Sequence, residues 1–399
     1  MRVALVSSGL IPIPPTRGGA VEEYVYQLSR NLRRLGIDAV VIDANYGSRV
    51  VYEDVNGAQI VRVPTAKPSV GFKERTLKEL LFGSTTASYI NRGGFDVVHV
   101  NTAWVGFTLA LRRSAGKLRS QGFVYTCHNL LWPEDRVHMG EKIVRLVEGY
   151  TMKIADTVIA LNKTMQKALT EKAKVDPRKM VIVPNGVDTE FFRPGLKNKQ
   201  ILSRYGLEEQ SYILFVGRVS PEKGVHILLR AFKQIVNDIP KDFKLVITGP
   251  LTSTFNSTQI SSYAKAMMSY AKEKLGERVV FTGAMDRNSL GILYSNAYCF
   301  VLPSLAEAFG MVLLEAMALG TIPIASKAGG IPEITINTSV ENFLFAPGNI
   351  DELINKIKMV MSQSREEIIS IGIRLKEHAT KLFDSKEINS KILRVFNSD

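Results

Sequence analysis

Cysteine is almost missing from this chain: two occur in 399 residues, Cys127 and Cys299. A disulfide framework needs pairs, and a structural zinc site needs clustered Cys and His. Two distant cysteines supply neither, and the pattern fits a cytosolic setting. Long apolar runs are missing too, since nothing approaches the ~20 residues that span a bilayer. The opening Arg2-Val3-Ala4-Leu5-Val6 is too short for the apolar core of a secretory leader. Short internal repeats and low-complexity tracts are absent. Two phosphate-binding signatures are also lacking: no G-x-G-x-x-G follows the first strand, and no G-x-x-x-x-G-K-[ST] occurs.

What remains is an ordinary globular composition, in a chain too long for one comfortable core and suited to two domains. The formal net charge is +13, and residues 1–190 carry 26 Lys/Arg against 18 Asp/Glu, so the excess leans to the first half. Basic surface attracts nucleic acid, anionic lipid or nucleotide phosphate, or simply keeps a protein soluble. The basic residues are scattered and no nucleic-acid signature accompanies them, so nucleic acid is not an expected partner.

Residues 2–7 read as a first strand, and 10–17 hold three prolines and read as a loop. Gly18-Gly19 follow, then a helix over 20–35 with Val21, Val25, Leu28 and Leu32 on one face. A glycine pair here either makes a tight turn or lets the backbone approach a ligand closely. Further strands are expected at 37–42, 58–63, 96–100, 123–126, 157–160 and 180–183. Helices over 72–89, 105–118, 137–155 and 163–173 separate most of them. Such alternation implies a parallel sheet covered on both faces. Thr126-Cys127-His128-Asn129 ends one strand, and doubly wound sheets bind ligands beyond strand carboxyl ends. His128 there either caps a loop or meets a hydroxyl or leaving-group oxygen.

Val183-Pro184-Asn185-Gly186-Val187-Asp188 punctuates a turn, after which strand order restarts. It is expected to separate a domain of residues 1–188 from one of 189–380, with a last helix in 381–399 crossing back to the first. A strand over 212–216 then runs into Gly217-Arg218-Val219-Ser220-Pro221-Glu222-Lys223-Gly224 and a helix over 225–235. Arg218 and Lys223 flank a glycine-bounded turn at a strand end. Two fixed cations there balance a diphosphate, unless they are merely solvated turn charges. Strands continue at 244–248, 278–282, 298–302 and 322–325. The third of these stops at Pro303, and Gly310 opens a helix that Gly320 closes. Glu307 therefore lies on a strand-to-helix loop, and Glu315 about two turns into the helix. The amides of Phe309, Gly310 and Met311 fall at the helix N-terminus, where unpaired N–H groups and the dipole favour an anion.

The run Pro303-Ser304-x-x-Glu307-x-Phe309-Gly310-x-x-x-x-Glu315-Ala316-Met317-Ala318-x-Gly320 resembles the E-x7-E signature of GT-B glycosyltransferases, most closely the retaining family 4 enzymes. Gly-Arg-x-x-x-x-Lys-Gly at 217–224, Gly-Gly-x-x-Glu at 18–22, Thr-x-His at 126–128, Pro-Asn-Gly-Val-Asp at 184–188 and Gly-Gly-x-x-Glu at 329–333 resemble further motifs of that family. The resemblance spans nearly the whole chain. It implies an α/β protein of two Rossmann-like, doubly wound domains facing each other across a cleft. The second would bind a nucleoside diphosphate sugar, UDP- or GDP-hexose, and the first an acceptor: a sugar, a lipid-linked glycan or a small molecule. Glu315 would hold the ribose, and Glu307 the donor sugar. Arg218, Lys223, Gly18, Gly19 and the 309–311 amides would meet the diphosphate or sugar, and His128 the donor sugar. Asp-x-Asp is absent, so no metal ion or other cofactor is expected. An epimerase on the same fold and a non-catalytic sugar-nucleotide-binding protein remain alternatives.

One segment stands outside this scheme. Residues 67–81 mix Lys67, Lys73, Arg75 and Lys78 with Phe72, Leu77, Leu80 and Leu81. Such a helix either packs on its own domain or lies on an anionic membrane. Arg112, Arg113, Lys117 and Arg119 add a second basic cluster.

Overall fold

A computed structural model describes residues 1–15, 19–66, 72–128, 132, 139–252 and 259–397, with the backbone alone at 72–73. Arg17, Gly18, Lys67, the side chains of Phe72 and Lys73, and most of the polar loop after Gly249 lie outside the described residues. The chain forms two units, residues 1–185 with 385–399, and 186–384.

Unit 1 runs β1 (Arg2–Val6), α1 (Ala20–Arg34), β2 (Asp38–Asn45), β3 (Val51–Val55), β4 (Ala58–Pro64), α2 (Phe72–Gly93), β5 (Val97–Val100), α3 (Ala103–Ser114), β6 (Gly122–Cys127), α4 (Met139–Ile154), β7 (Thr157–Ala160), α5 (Lys163–Glu171) and β8 (Met180–Ile182). Its sheet has the order β3-β4-β2-β1-β5-β6-β7-β8. The central strands are buried along their length, as strands covered on both faces must be. One strand departs from the expected parallel scheme. β3 pairs antiparallel with β4, because Asn56 and Gly57 both take positive φ, 52° and 86°, and close a tight hairpin.

Unit 2 runs α6 (Lys199–Arg204), β9 (Tyr212–Val216), α7 (Val225–Ile235), β10 (Lys244–Thr248), α8 (Ser262–Leu275), β11 (Val279–Gly283), α9 (Arg287–Asn296), β12 (Cys299–Leu302), α10 (Met311–Ala318), β13 (Pro323–Ser326), α11 (Ile331–Thr335), β14 (Leu344–Phe345), α12 (Ile350–Met361) and α13 (Arg365–Phe383). Its parallel sheet has the order β11-β10-β9-β12-β13-β14. In both sheets strand order reverses at one place, between β1 and β5 in unit 1 and between β9 and β12 in unit 2. A crevice opens there because successive crossovers leave in opposite directions.

The final helix, α14 (Ser385–Phe396), belongs to unit 1. Ile388, Ile392 and Phe396 join a buried cluster with Val25, Leu28 and Leu32 of α1. The chain passes between the units at 185/186 and 384/385, a few residues from the expected 188/189 and 380/381. Within unit 2 those two ends lie side by side, since the Val187 amide donates to the Phe383 carbonyl at 2.7 Å.

Both tryptophans, Trp104 and Trp132, lie in unit 1, so their fluorescence reads that unit. Ile392 is fully buried there. Ile392→Ala should lower the stability of unit 1 by about 2–5 kcal/mol in urea unfolding followed by tryptophan emission. An unchanged midpoint would mean that α14 is not part of that core.

Candidate active site

In unit 2 the expected residues gather at the crevice between β9 and β12. The chain leaves β9 through Gly217 and Arg218, makes one 3-10 turn at Pro221–Lys223, and enters α7 at Gly224. It leaves β12 through Pro303 and reaches α10 at Gly310. The two loops are stitched together by main chain: the Leu305 amide donates to the Glu222 carbonyl at 2.8 Å. A Cβ on Gly224 would stand 2.0 Å from the Pro303 carbonyl oxygen, so only glycine allows this approach. A third loop closes in behind. A Cβ on Gly329 would stand 1.6 Å from the Glu307 carbonyl oxygen.

This packing brings Lys223 and Glu307 together. Lys223 Nζ donates to Glu307 Oε2 at 2.7 Å, and Ser304 Oγ to the same oxygen at 3.3 Å. Both charged side chains are mostly buried, at 18% and 10% exposure, so the pair is screened far less than a surface bridge. Arg218 is more open and faces Glu222 Oε1 at 3.5 Å. Lys223 and Glu307 are thus one ion-paired unit, which their separation of 84 positions did not reveal.

Glu315 is the fifth residue of α10, so it lies a little over one turn from the helix start rather than two. The Tyr294 hydroxyl lies 3.2 Å from Glu315 Oε2 and 3.1 Å from the Val312 carbonyl, one proton facing two acceptors. Burial first, then the Glu315 carboxylate, push the Tyr294 phenol far above its ordinary range, so it stays a donor. The α10 N-cap is Gly310, at φ 105°, and no side chain caps it. The first-turn N–H groups beside Gly310 and Met311 have no acceptor within the helix and keep their pull on an anion. The Phe309 ring turns into the core against Phe383, 6.2 Å between centroids, so this residue offers its main chain. Ser304 stands in the signature run, but its contact with Glu307, like that of Tyr294 with Glu315, is made only by the fold.

In unit 1, Gly19 caps α1 at φ 134°, with no side-chain cap, and Glu22 folds back beside it. Glu22 is buried and accepts a hydrogen bond from Ser8 Oγ; burial lifts its carboxyl above the usual range. His128 follows β6. Its Nε2 lies 3.2 Å from Asn101 Oδ1, while Asn101 Nδ2 donates to the Val6 carbonyl at 3.5 Å. That second bond fixes the amide, so Nε2 carries the proton and Nδ1 is left as an acceptor. The Tyr24 ring stands edge-on to both His128 and the fully buried His99, at 4.9 and 6.1 Å. His99 Nε2 meets Thr126 Oγ1 at 2.7 Å, and Phe396 of α14 packs on its ring. Burial pushes His128 down to about 4 and His99 to about 3, so both are neutral at pH 7. Among the described residues no group of three or more His, Cys, Asp or Glu is placed to hold a metal ion.

Residues 198–374 match the Glycosyl transferases group 1 family, and residues 17–191 match Glycosyltransferase Family 4. A D-inositol 3-phosphate glycosyltransferase of Segniliparus rotundus is 34% identical over 348 residues, covering 83% of this chain and 75% of its own. Spore coat protein SA of Bacillus subtilis is 24% identical over 415 residues and covers all of both chains. Among solved structures, sucrose-phosphate synthase from Thermosynechococcus elongatus superposes with a TM-score of 0.82 at 23% identity, covering 99% of this chain and 98% of that one. Anabaena HepE in complex with UDP and glucose gives 0.77 at 21% identity over the full length of both. At these identities the structural likeness speaks for the fold.

The two histidines set a pH dependence. Unfolded histidine binds a proton below about 6.5, and the folded rings do so only near 4 and 3. The unfolded chain therefore holds more protons in between, and stability falls as pH drops from about 6.5 toward 4, by up to about 1.4 kcal/mol per pH unit per ring. The buried carboxyls of Glu22, Asp43 and Glu79 are raised and act in the opposite sense. The difference between wild type and His99→Gln isolates the His99 part. The variant should lose less stability across this window in urea unfolding read by tryptophan emission, and equal slopes would remove His99 from the account.

Proposed function

The chain belongs to the glycosyl transferases group 1 family, and we propose that it moves a hexosyl group from a UDP- or GDP-sugar to a hydroxyl of a sugar, lipid-linked glycan or small-molecule acceptor, with retention of configuration. The observation that carries this reading is the crevice of unit 2, where Arg218, Lys223, Glu307 and the uncapped start of α10 converge. The complex of Anabaena HepE with UDP and glucose supports UDP as the nucleotide.

In this reading the diphosphate lies against Arg218, Lys223 and the main chain of 309–311. As the bond between sugar C1 and diphosphate oxygen breaks, negative charge grows on the leaving group, and fixed cations and amides there stabilise it. The acceptor oxygen attacks from the same face, and its proton passes to the departing phosphate oxygen, so configuration is retained without a covalent enzyme intermediate. Glu315, held by Tyr294, takes the ribose hydroxyls. Glu307, held by Lys223 and Ser304, takes hydroxyls of the donor sugar. Gly18, Gly19 and His128 are assigned to the donor from their motifs, with His128 Nδ1 accepting from a hydroxyl. Two side-chain cations do the work that a bridging metal does elsewhere, and the reading calls on no metal or other cofactor.

A panel of UDP-, GDP- and ADP-sugars, scored by thermal shift and then by turnover, tests the reading. One donor should raise the melting temperature. Arg218→Ala and Lys223→Ala should each weaken its binding and slow transfer by a factor on the order of 10²–10³. Full activity in both variants would remove the phosphate site. Consumption of donor without acceptor would favour the epimerase.

The two glutamates should separate in steady-state kinetics. Glu315→Gln weakens a charge-assisted contact present before and during reaction, worth roughly 1.5–3 kcal/mol, and should raise the donor KM more than it lowers kcat. Glu307 faces the reacting sugar, where contacts tighten as positive charge develops on the ring. Glu307→Gln should lower kcat with a smaller change in KM. A reversed pattern exchanges the two roles.

A further inference from the structure

The helices α2, α3 and α4 pack side by side as one layer of unit 1. A surface helix buries one apolar stripe and turns polar residues outward. This layer does not. Leu77 and Leu81 of α2, Leu111 of α3, and Met139, Ile143 and Leu146 of α4 are all exposed, Met139 and Leu146 at 73% and 74%. The spacings of four, and of four then three, put the residues of α2 and of α4 each on one helix face. On α4 a second stripe, with Val147 and Met152, fills the inward side. The outer leucines are therefore surplus to the core.

The charge around them is mainly positive. Helices α2, α3 and α4 with residues 115–121 hold eleven Lys/Arg against four Asp/Glu, and two of the four acids, Glu79 and Glu148, are buried. Lys117, Arg119, Lys142 and Lys153 are exposed. A second copy of this face would set like charges against each other, so it is not its own complement. Nucleic acid pairs with the cations but leaves the leucines in water. An anionic bilayer matches both: apolar side chains enter the headgroup boundary, and ammonium and guanidinium groups meet lipid phosphates.

We propose that this face of α2, α3 and α4 docks the protein on an anionic membrane surface. The docking goes beyond the transfer reading and stands without it, because binding is read without turnover. The probe is co-sedimentation with vesicles of phosphatidylglycerol in phosphatidylcholine, against pure phosphatidylcholine. The full chain should bind the anionic vesicles, and added salt should weaken binding. Leu146→Asp should lower partitioning about tenfold or more, and Lys117→Ala about fivefold. Ile373→Asp, at an exposed position of α13 in unit 2, should leave it unchanged. A circular-dichroism melt matching wild type shows that Leu146→Asp folds, and Lys117→Ala and Lys142→Ala carry the test if it does not. Equal binding to both vesicle types, or none, overturns the proposal. So does a wild-type dimer that Leu146→Asp dissociates.

Discussion

A Cβ on Gly329 would lie 1.6 Å from the Glu307 carbonyl oxygen, and one on Gly224 would lie 2.0 Å from that of Pro303. Main chain touching main chain in this way is the constraint on which the rest of the unit 2 site rests. Three loops meet beside the point where strand order reverses, and at these two glycines main chain lies directly on main chain. Their closeness lets Lys223 reach Glu307 and puts the start of α10 beside the turn that carries Arg218. A methyl group at either glycine would part the loops, and a side-chain pair made at 2.7 Å does not survive such a shift.

The two units treat charge in different ways. In unit 2 the crevice keeps a half-buried ion pair and an open arginine, a field suited to an anion. In unit 1 the corresponding end of the sheet, beside β1 and β5, carries groups whose charged forms burial disfavours. His128 and His99 are depressed by burial, and Glu22 is raised by it. Neutral donors and acceptors suit hydroxyl groups, which need hydrogen bonds rather than charge. The loop after β1 is held by the same economy of polar groups. Asp43 accepts from Ser7 Oγ at 2.6 Å and from the Ile13 amide at 3.0 Å, while Arg62 balances it.

The outer layer of unit 1 follows another logic. A basic mixed segment over 67–81 is visible in the sequence, but helical spacing alone does not say which leucines face inward. Leu80 and Leu81 are neighbours in the chain, yet Leu81 is exposed and Phe82 buried. The outer apolar stripe of α4 is not legible either, since Ile143, Leu146 and Val147 read as one broad apolar face. Packing of α4 on α3 decides which of them remain outside.

Alternation of apolar runs with amphipathic stretches is enough to place most central strands and helices, because period and burial are local properties. Local too are the cap at Gly310, the turn at 217–224 and the spacing of Glu307 from Glu315, so the sequence by itself determined the fold class and the candidate site residues. It also carried the Asn56-Gly57 hairpin, although the polar β3 beside it hides that strand. Tertiary structure alone decided the partners. Lys223 meets Glu307 across 84 positions, Tyr294 meets Glu315 from another helix, and Phe396 reaches His99 from the far end of the chain. Those contacts depend on sheet order and on the register of each crossover. A chain of short-range preferences does not encode sheet order at any one position, because it follows from burying all the apolar faces at once.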